Sequence, residues 1–285
     1  MTHFRNQQTI ITPQEYAGIG LHTGQEVVIR FVSAKEGEGR YFRRIDLPGQ
    51  PVIPAGVEYV AGTARGTTLA VGEAKVHTVE HVLAAIRAFD IDNICIEISG
   101  IEPPAGNGSS DVYVEMLSRA GIVEQAARTP IVALMTPVWW SQNDVYVVAL
   151  PCDTYRISYT LYYPNSPPLG SQYFSFDVST ERFCEQVAPC RTFALYDELF
   201  ALMDKGLIRG GSLENAVVVQ EEAIISKGGL HFSDEAVRHK VLDLIGDLSL
   251  VGIPFTAHII ALRSGHASNC AFAKKLYQHL SLENT

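Results

Sequence analysis

The run KVHTVEH at 75–81 holds His77, Glu80 and His81 in the order His-x-x-Glu-His. On a helix, two histidines one turn apart can bind zinc while the carboxylate between them takes a proton from water. The local pattern argues against that pairing. Thr78 is a good helix cap, and the residues before it follow the Gly72-Glu73 turn like the end of a hairpin strand. His77 is therefore expected outside the helix, off the face that carries His81. Glu80 and His81 remain as a base and a ligand in the first helical turn, where the positive end of the helix dipole favours a carboxylate. A solvated helix start would use the same residue types.

A second cluster lies in SDEAVRHKVLDLIGDL at 233–248, which reads as a helix capped by Ser233 with Asp234 and Glu235 in its first turn. His239, Asp243 and Asp247 recur every fourth residue and share one stripe, while Val237, Val241, Leu244 and Leu248 form an apolar stripe elsewhere. Imidazole and carboxylate one turn apart suit a metal, and a surface helix with a charged face is the other reading. In RSGHASN at 263–269, His266 follows a glycine between an apolar run and a helix, where loop residues reach into clefts. GIGLHTG at 18–24 holds His22 in a tight backbone but lacks the lysine and spacing of a phosphate loop.

These groups need a frame. The first half alternates short strand-like runs (27–32, 41–45, 67–71) with turn signals, changes to helical spacing after Thr78, returns to a strand at 93–98, and ends in a helix at 110–120. A polar stretch at 123–129 precedes a new run of strands, so a domain boundary is expected there, dividing residues 1–126 from 127–285. The second half again places strands before helices, the helices at about 194–205, 233–250 and 267–280. This order predicts an α+β fold.

The chain has 285 residues, 47% hydrophobic and 19% charged, which is the balance of a folded globular protein. Its net charge of −9 provides no positive field for nucleic acid, so any anionic substrate must be held by a few local cations. Five scattered cysteines without a C-x-x-C pair exclude a disulfide framework or a cysteine zinc site. The opening residues hold no apolar run of signal-peptide length, and the stretch 248–262 is too short and too interrupted to span a bilayer. A cytoplasmic protein without a transmembrane segment is expected.

The segments GIGLHTG (18–24), HTVEHVLAA (77–85), RTFAL (191–195), GGSLENAVVV (210–219), RHKVLDLIGDL (238–248) and SGHASN (264–269) together resemble one family over nearly the whole chain. It is the zinc-dependent UDP-3-O-acyl-N-acetylglucosamine deacetylases of lipid A biosynthesis. APCRTFALY and DLIGDLSLVG are especially similar to its chlamydial branch.

The resemblance implies two α+β domains, each a layered β-α sandwich, with the active site between them. It implies zinc, or ferrous iron in the cell, held by His81, His239 and Asp243, with Glu80 as general base toward the attacking water. His266 corresponds to the cationic histidine that protonates the leaving amine, Asp247 to its supporting carboxylate and Thr192 to a residue that holds the oxyanion. Lys240, Phe193, Tyr163 and Arg263 fall where the family meets the sugar and nucleotide, and His22 on the rim of the site. Residues 192–219 correspond to an insert forming a passage for the acyl chain. The substrate implied is UDP-3-O-(3-hydroxyacyl)-N-acetylglucosamine, acted on by a monomer. Asn107 stands where the family usually has Asp, and Ala64-Arg65-Gly66 also departs from many members. A zinc peptidase using His77 and His81, or an inactive nucleotide-sugar binding protein, are the alternatives.

Overall fold

The computed structural model describes residues 3–283. Strands β2 (Gln14–Ile19), β3 (Glu26–Ser33), β4 (Arg40–Arg44), β5 (Val52–Pro54) and β9 (Ile94–Ile98) form a five-stranded sheet in the order β2-β3-β9-β4-β5. A small antiparallel sheet of β6 (Val60–Gly62), β7 (Thr68–Val71) and β8 (Ala74–Val76) lies beside it. The seven-stranded sheet contains β1 (His3–Ile10), β10 (Ile122–Ala133), β11 (Val138–Gln142), β12 (Val145–Leu150), β13 (Tyr155–Tyr163), β14 (Gly170–Asp177) and β18 (Phe255–Leu262). A third small sheet joins β15 (Phe193–Leu195), β16 (Val217–Gln220) and β17 (Ala223–Ile225).

Six α-helices among the described residues complete this α+β fold: α1 (Glu80–Ala88), α2 (Asp111–Ala120), α3 (Thr180–Gln186), α4 (Tyr196–Asp204), α5 (Glu235–Ser249) and α6 (His266–Glu283). α2 packs on β2, α5 on β13 and β14, and α6 on β11 and β12. The two halves of the chain meet where α1 packs against α5. Val82, Leu83, Ile86, Val241, Leu244, Ile245 and Leu248 are buried in this central layer. No helix among the described residues is long and apolar enough to cross a membrane.

Several local expectations change. Thr78 does not cap α1: the cap position is Val79, and Thr78 adopts φ +52° with its hydroxyl on Glu102. The consequence drawn for His77 survives, because His77 stands before the helix and its Nδ1 lies 2.8 Å from Thr68 Oγ1. Ser233 is also not a cap, since α5 begins at Glu235 after Asp234. Phe193–Leu195 form a strand rather than the start of a helix because β16 supplies a parallel partner. The polar stretch 123–129 is strand too: β10 runs through it with β1 alongside, across a bulge, so Glu124 and Arg128 face solvent while Gln125 accepts from Asn93 Nδ2 at 2.7 Å and Thr129 is buried. The division expected at residues 126 and 127 thus falls inside β10.

Candidate active site

Gly246 sets the distance between α1 and α5. A Cβ at this position would stand 2.1 Å from the carbonyl oxygen of Glu80, so only glycine allows the helices to approach this closely. The first turn of α1 is thereby laid against the middle of α5, bringing Glu80 and His81 to His239, Asp243 and Asp247. α5 is buried along these residues, so it is not a surface helix with a charged face.

Three lone-pair donors converge in the resulting cleft. His81 Nε2 and His239 Nε2 lie 3.5 and 3.4 Å from the same oxygen, Asp243 Oδ1. His239 Nδ1 lies 3.0 Å from the carbonyl of Cys190, which fixes the proton there and leaves Nε2 as the donor toward the site. Burial lowers His239 to about 4, so the ring is neutral. Burial acts to raise Asp243, but the Lys240 ammonium outweighs it and holds the carboxylate well below its usual range. Lys240 Nζ donates to Asp243 Oδ2 at 2.8 Å, whereas buried Oδ1 has no hydrogen-bond partner. Such donors repel one another unless a cation lies among them, and two imidazoles with one carboxylate form a set suited to zinc.

A second trio adjoins the first. His266 Nδ1 lies 3.0 Å from Asp247 Oδ2, and its Nε2 is 3.9 Å from Glu80 Oε1. Burial acts to lower His266, but Asp247 and Glu80 overcome it and raise the imidazolium to about 10. Burial also raises Glu80 above the usual carboxylate range, opposed by the charge on His266. Asp247 is fully buried and is held by Thr67 Oγ1 at 2.6 Å and by Asn269 Nδ2 at 2.9 Å. Thr67 also donates its backbone N–H to Glu80 Oε2 at 2.8 Å, tying the two carboxylates together.

The other expected residues distribute over two adjoining clefts. Thr192, Phe193, Lys240 and His22 line a cleft of about 390 Å³ with His81, His239, Asp243, Glu80 and His266, while Asp247 lies buried behind His266. Its far wall is apolar and comes from the 192–219 segment: Ala194, Leu199, Leu202, Met203, Ile208 and Val218. Leu207 does not line this cleft, and Leu195 lines the neighbouring one instead. Lys240 also lines the neighbouring cleft of about 650 Å³, together with Tyr163 and Arg263. Phe193 joins the two, with its ring 6.0 Å from Tyr163, 6.5 Å from His239 and 5.6 Å from Lys240 Nζ. Arg263 faces Asp144 at 3.5 Å and stacks over Tyr162. His77 belongs to neither trio.

Position along the β15 segment is set by a buried ion pair. Arg191 Nε donates to Glu235 Oε1 at 2.8 Å, and the Arg191 backbone N–H donates to the same oxygen at 2.9 Å. The start of α5 is thereby fastened to the residue before Thr192. Asn107, where the resemblance leads one to expect Asp, accepts from Ser109 and donates to Asp111 at 3.2 Å, so it organises its own loop.

Sequence reasoning did not assign roles to Thr67, Glu102, Gly246 or Asn269. Thr67 and Glu102 act through backbone N–H groups distant in sequence, and no local spacing signals that. Gly246 did carry a signal, since a glycine inside an apolar helix marks a close approach.

A family model described as UDP-3-O-acyl N-acetylglycosamine deacetylase matches residues 7–278. The chain is similar to the UDP-3-O-acyl-N-acetylglucosamine deacetylase of Chlamydia caviae, 50% identical over 276 residues that cover 97% of this chain and 98% of that one. With the Chlamydia pneumoniae enzyme of the same name it shares 48% identity over 279 residues, 98% of this chain and 99% of that one. With that of Chlamydia trachomatis serovar L2 it shares 44% over 279 residues, 98% and 97% of the two chains.

Proposed function

Because this chain belongs to the UDP-3-O-acyl N-acetylglycosamine deacetylase family and is a deacetylase of lipid A biosynthesis, we propose that its two trios divide the hydrolysis of the acetamide between them. The family is one of metalloenzymes, and we assign the metal, zinc by its donor set, to His81, His239 and Asp243. When bound there, a dication makes water more acidic and polarises a carbonyl oxygen.

Glu80 takes the proton from the attacking water, and its unshared Oε1 faces the cleft while Oε2 is occupied by Thr67. Asp247 orients His266 through Nδ1, leaving the Nε2 proton directed into the cleft for the leaving amine. Once that amine is protonated, acetate and the free amino sugar separate. Thr192, which lines the same cleft, contacts the developing oxyanion. The nucleotide lies toward Arg263 and Tyr163, and the diphosphate near Lys240. Burial acts to lower the Lys240 ammonium, but Asp243 and Tyr159 outweigh it and raise it, so it stays charged. The 3-hydroxyacyl chain enters the apolar arm beyond Phe193.

The observation that supports this reading is a buried carboxylate, Glu80, 3.9 Å from His266 Nε2 and beside the convergent donors of His81, His239 and Asp243. The test is acetate release from UDP-3-O-acyl-N-acetylglucosamine. Glu80→Gln should keep its metal and fold but lose about 10²–10⁴-fold in kcat, because the amide cannot accept the water's proton. Near-normal turnover of metal-loaded Glu80→Gln would remove Glu80 from the base role.

A further inference from the structure

We propose that Glu102 is a positioning residue, which clamps an unfavourable backbone turn at Thr78 and so aims Glu80 and His81 into the cleft; the proposal rests on the reading of those two residues given above. Thr78 is the second residue before α1 and lies at φ +52°. A β-branched residue in this left-handed region is an outlier, since its side chain crowds the backbone there. The conformation must be held by something outside the turn. Thr78 Oγ1 donates to Glu102 Oε1 at 3.2 Å, and the His77 backbone N–H donates to the carbonyl of Ile101 at 2.7 Å.

Glu102 is itself firmly anchored. Its carboxylate is buried and accepts the backbone N–H of His22 at 3.0 Å and of Thr23 at 2.8 Å. Two successive backbone N–H groups on one carboxylate make a small anion-binding nest, and here the anion is the protein's own side chain. Gly20 completes it, because a Cβ there would stand 2.6 Å from Glu102 Oε2. The loop carrying His22 and the turn leading into α1 are thus bound to the same carboxylate.

The turn passes its orientation directly to Glu80. The Val79 N–H donates to Thr67 O at 3.2 Å, and the Thr67 N–H donates to Glu80 Oε2. Gly66 lies against both, since a Cβ there would be 3.1 Å from Thr78 Oγ1 and from Glu80 Oε1. Releasing Thr78 would let its backbone relax out of the left-handed region and rotate the first turn of α1, which carries Glu80 and His81.

The test uses the metal-loaded enzyme and the contrast between two substitutions. Thr78→Val keeps the branched side chain but removes the hydroxyl, so the turn is left unclamped. Thr78→Gly removes the hydroxyl and also the reason for strain, because glycine accepts φ +52° freely. In the metal-loaded enzyme Thr78→Val is expected to lose at least tenfold in kcat with KM within threefold, and Thr78→Gly to be several-fold faster than Thr78→Val. Glu102→Gln, whose amide turns a donor toward the His22 and Thr23 N–H groups, should also lose kcat. Adding Thr78→Gly to it should restore part of that loss. The proposal is overturned if Thr78→Val works within twofold of the parent, if the glycine variant is the slower of the two, or if the losses from Glu102→Gln and Thr78→Gly multiply. If Glu102→Gln does not fold, the two Thr78 variants decide alone. Glu80→Gln tests the base role separately, so an active Glu80→Gln and a multiplicative Thr78 result are distinguishable failures.

Discussion

Asp243 Oδ1 is the most informative single atom in the site, buried and facing two imidazole nitrogens without a hydrogen bond. Asp243→Ala and His239→Ala should therefore each lose most of the bound metal and the activity with it, whereas His77→Ala should keep its metal. Metal analysis of the three folded proteins decides between this trio and the local His77–His81 pair, and metal loss confined to His77→Ala would restore the peptidase alternative. His266 yields a second prediction. Its proton is held by Asp247 and Glu80 up to about 10, so the imidazolium persists through neutral pH and disappears as pH rises through that value. A dication on the neighbouring trio repels the imidazolium and draws the value down. An activity that needs this proton should fall on the alkaline side, and Asp247→Asn should move that limb of the kcat/KM profile to lower pH. An unmoved limb in Asp247→Asn would assign it to another group. His239, Asp243 and Asp247 were legible because helical spacing stacks residues four apart. Thr78 was misread because a good capping residue type says nothing of a φ imposed by a distant carboxylate.

Gly246 makes its prediction at the level of packed elements. In an exposed helix interior, Gly→Ala stabilises by about 1 kcal/mol. Here the added methyl meets the Glu80 carbonyl, so Gly246→Ala should instead destabilise by about 1–3 kcal/mol through overpacking and should lower activity by displacing Glu80. Thermal unfolding with a matched assay checks it, and an unchanged or higher Tm with full activity would show that the helices tolerate separation. α1, α2, α5 and α6 were legible from periodicity, since each buries an apolar face, as were β3, β4, β7, β9, β12 and β13; α3 and the remaining short strands were not. The short strand β15 and the polar course of β10 were not, because each is strand only by virtue of a partner far away in sequence.

For the whole molecule, the joining of a polar catalytic end to an apolar arm predicts a dependence on acyl length. At roughly 0.8 kcal/mol per buried CH₂, a substrate shorter by two methylenes should lose about 1.6 kcal/mol, or about fifteenfold in kcat/KM, and the O-deacylated substrate considerably more. Equal efficiency with and without the chain would make the 192–219 segment core alone. The pairing of β1 has a different kind of consequence. Among the described residues this strand comes first and pairs with β10 alone, and β10 in turn borders β18, close to the other terminus. A ribosome adding about 5–20 residues per second leaves the first strand waiting roughly 6–25 s for the second to be made, and longer for the third. Throughout synthesis the nascent chain presents an unmatched β edge that only late translation can close, so the timing of birth belongs to the making of this enzyme as much as its sequence does.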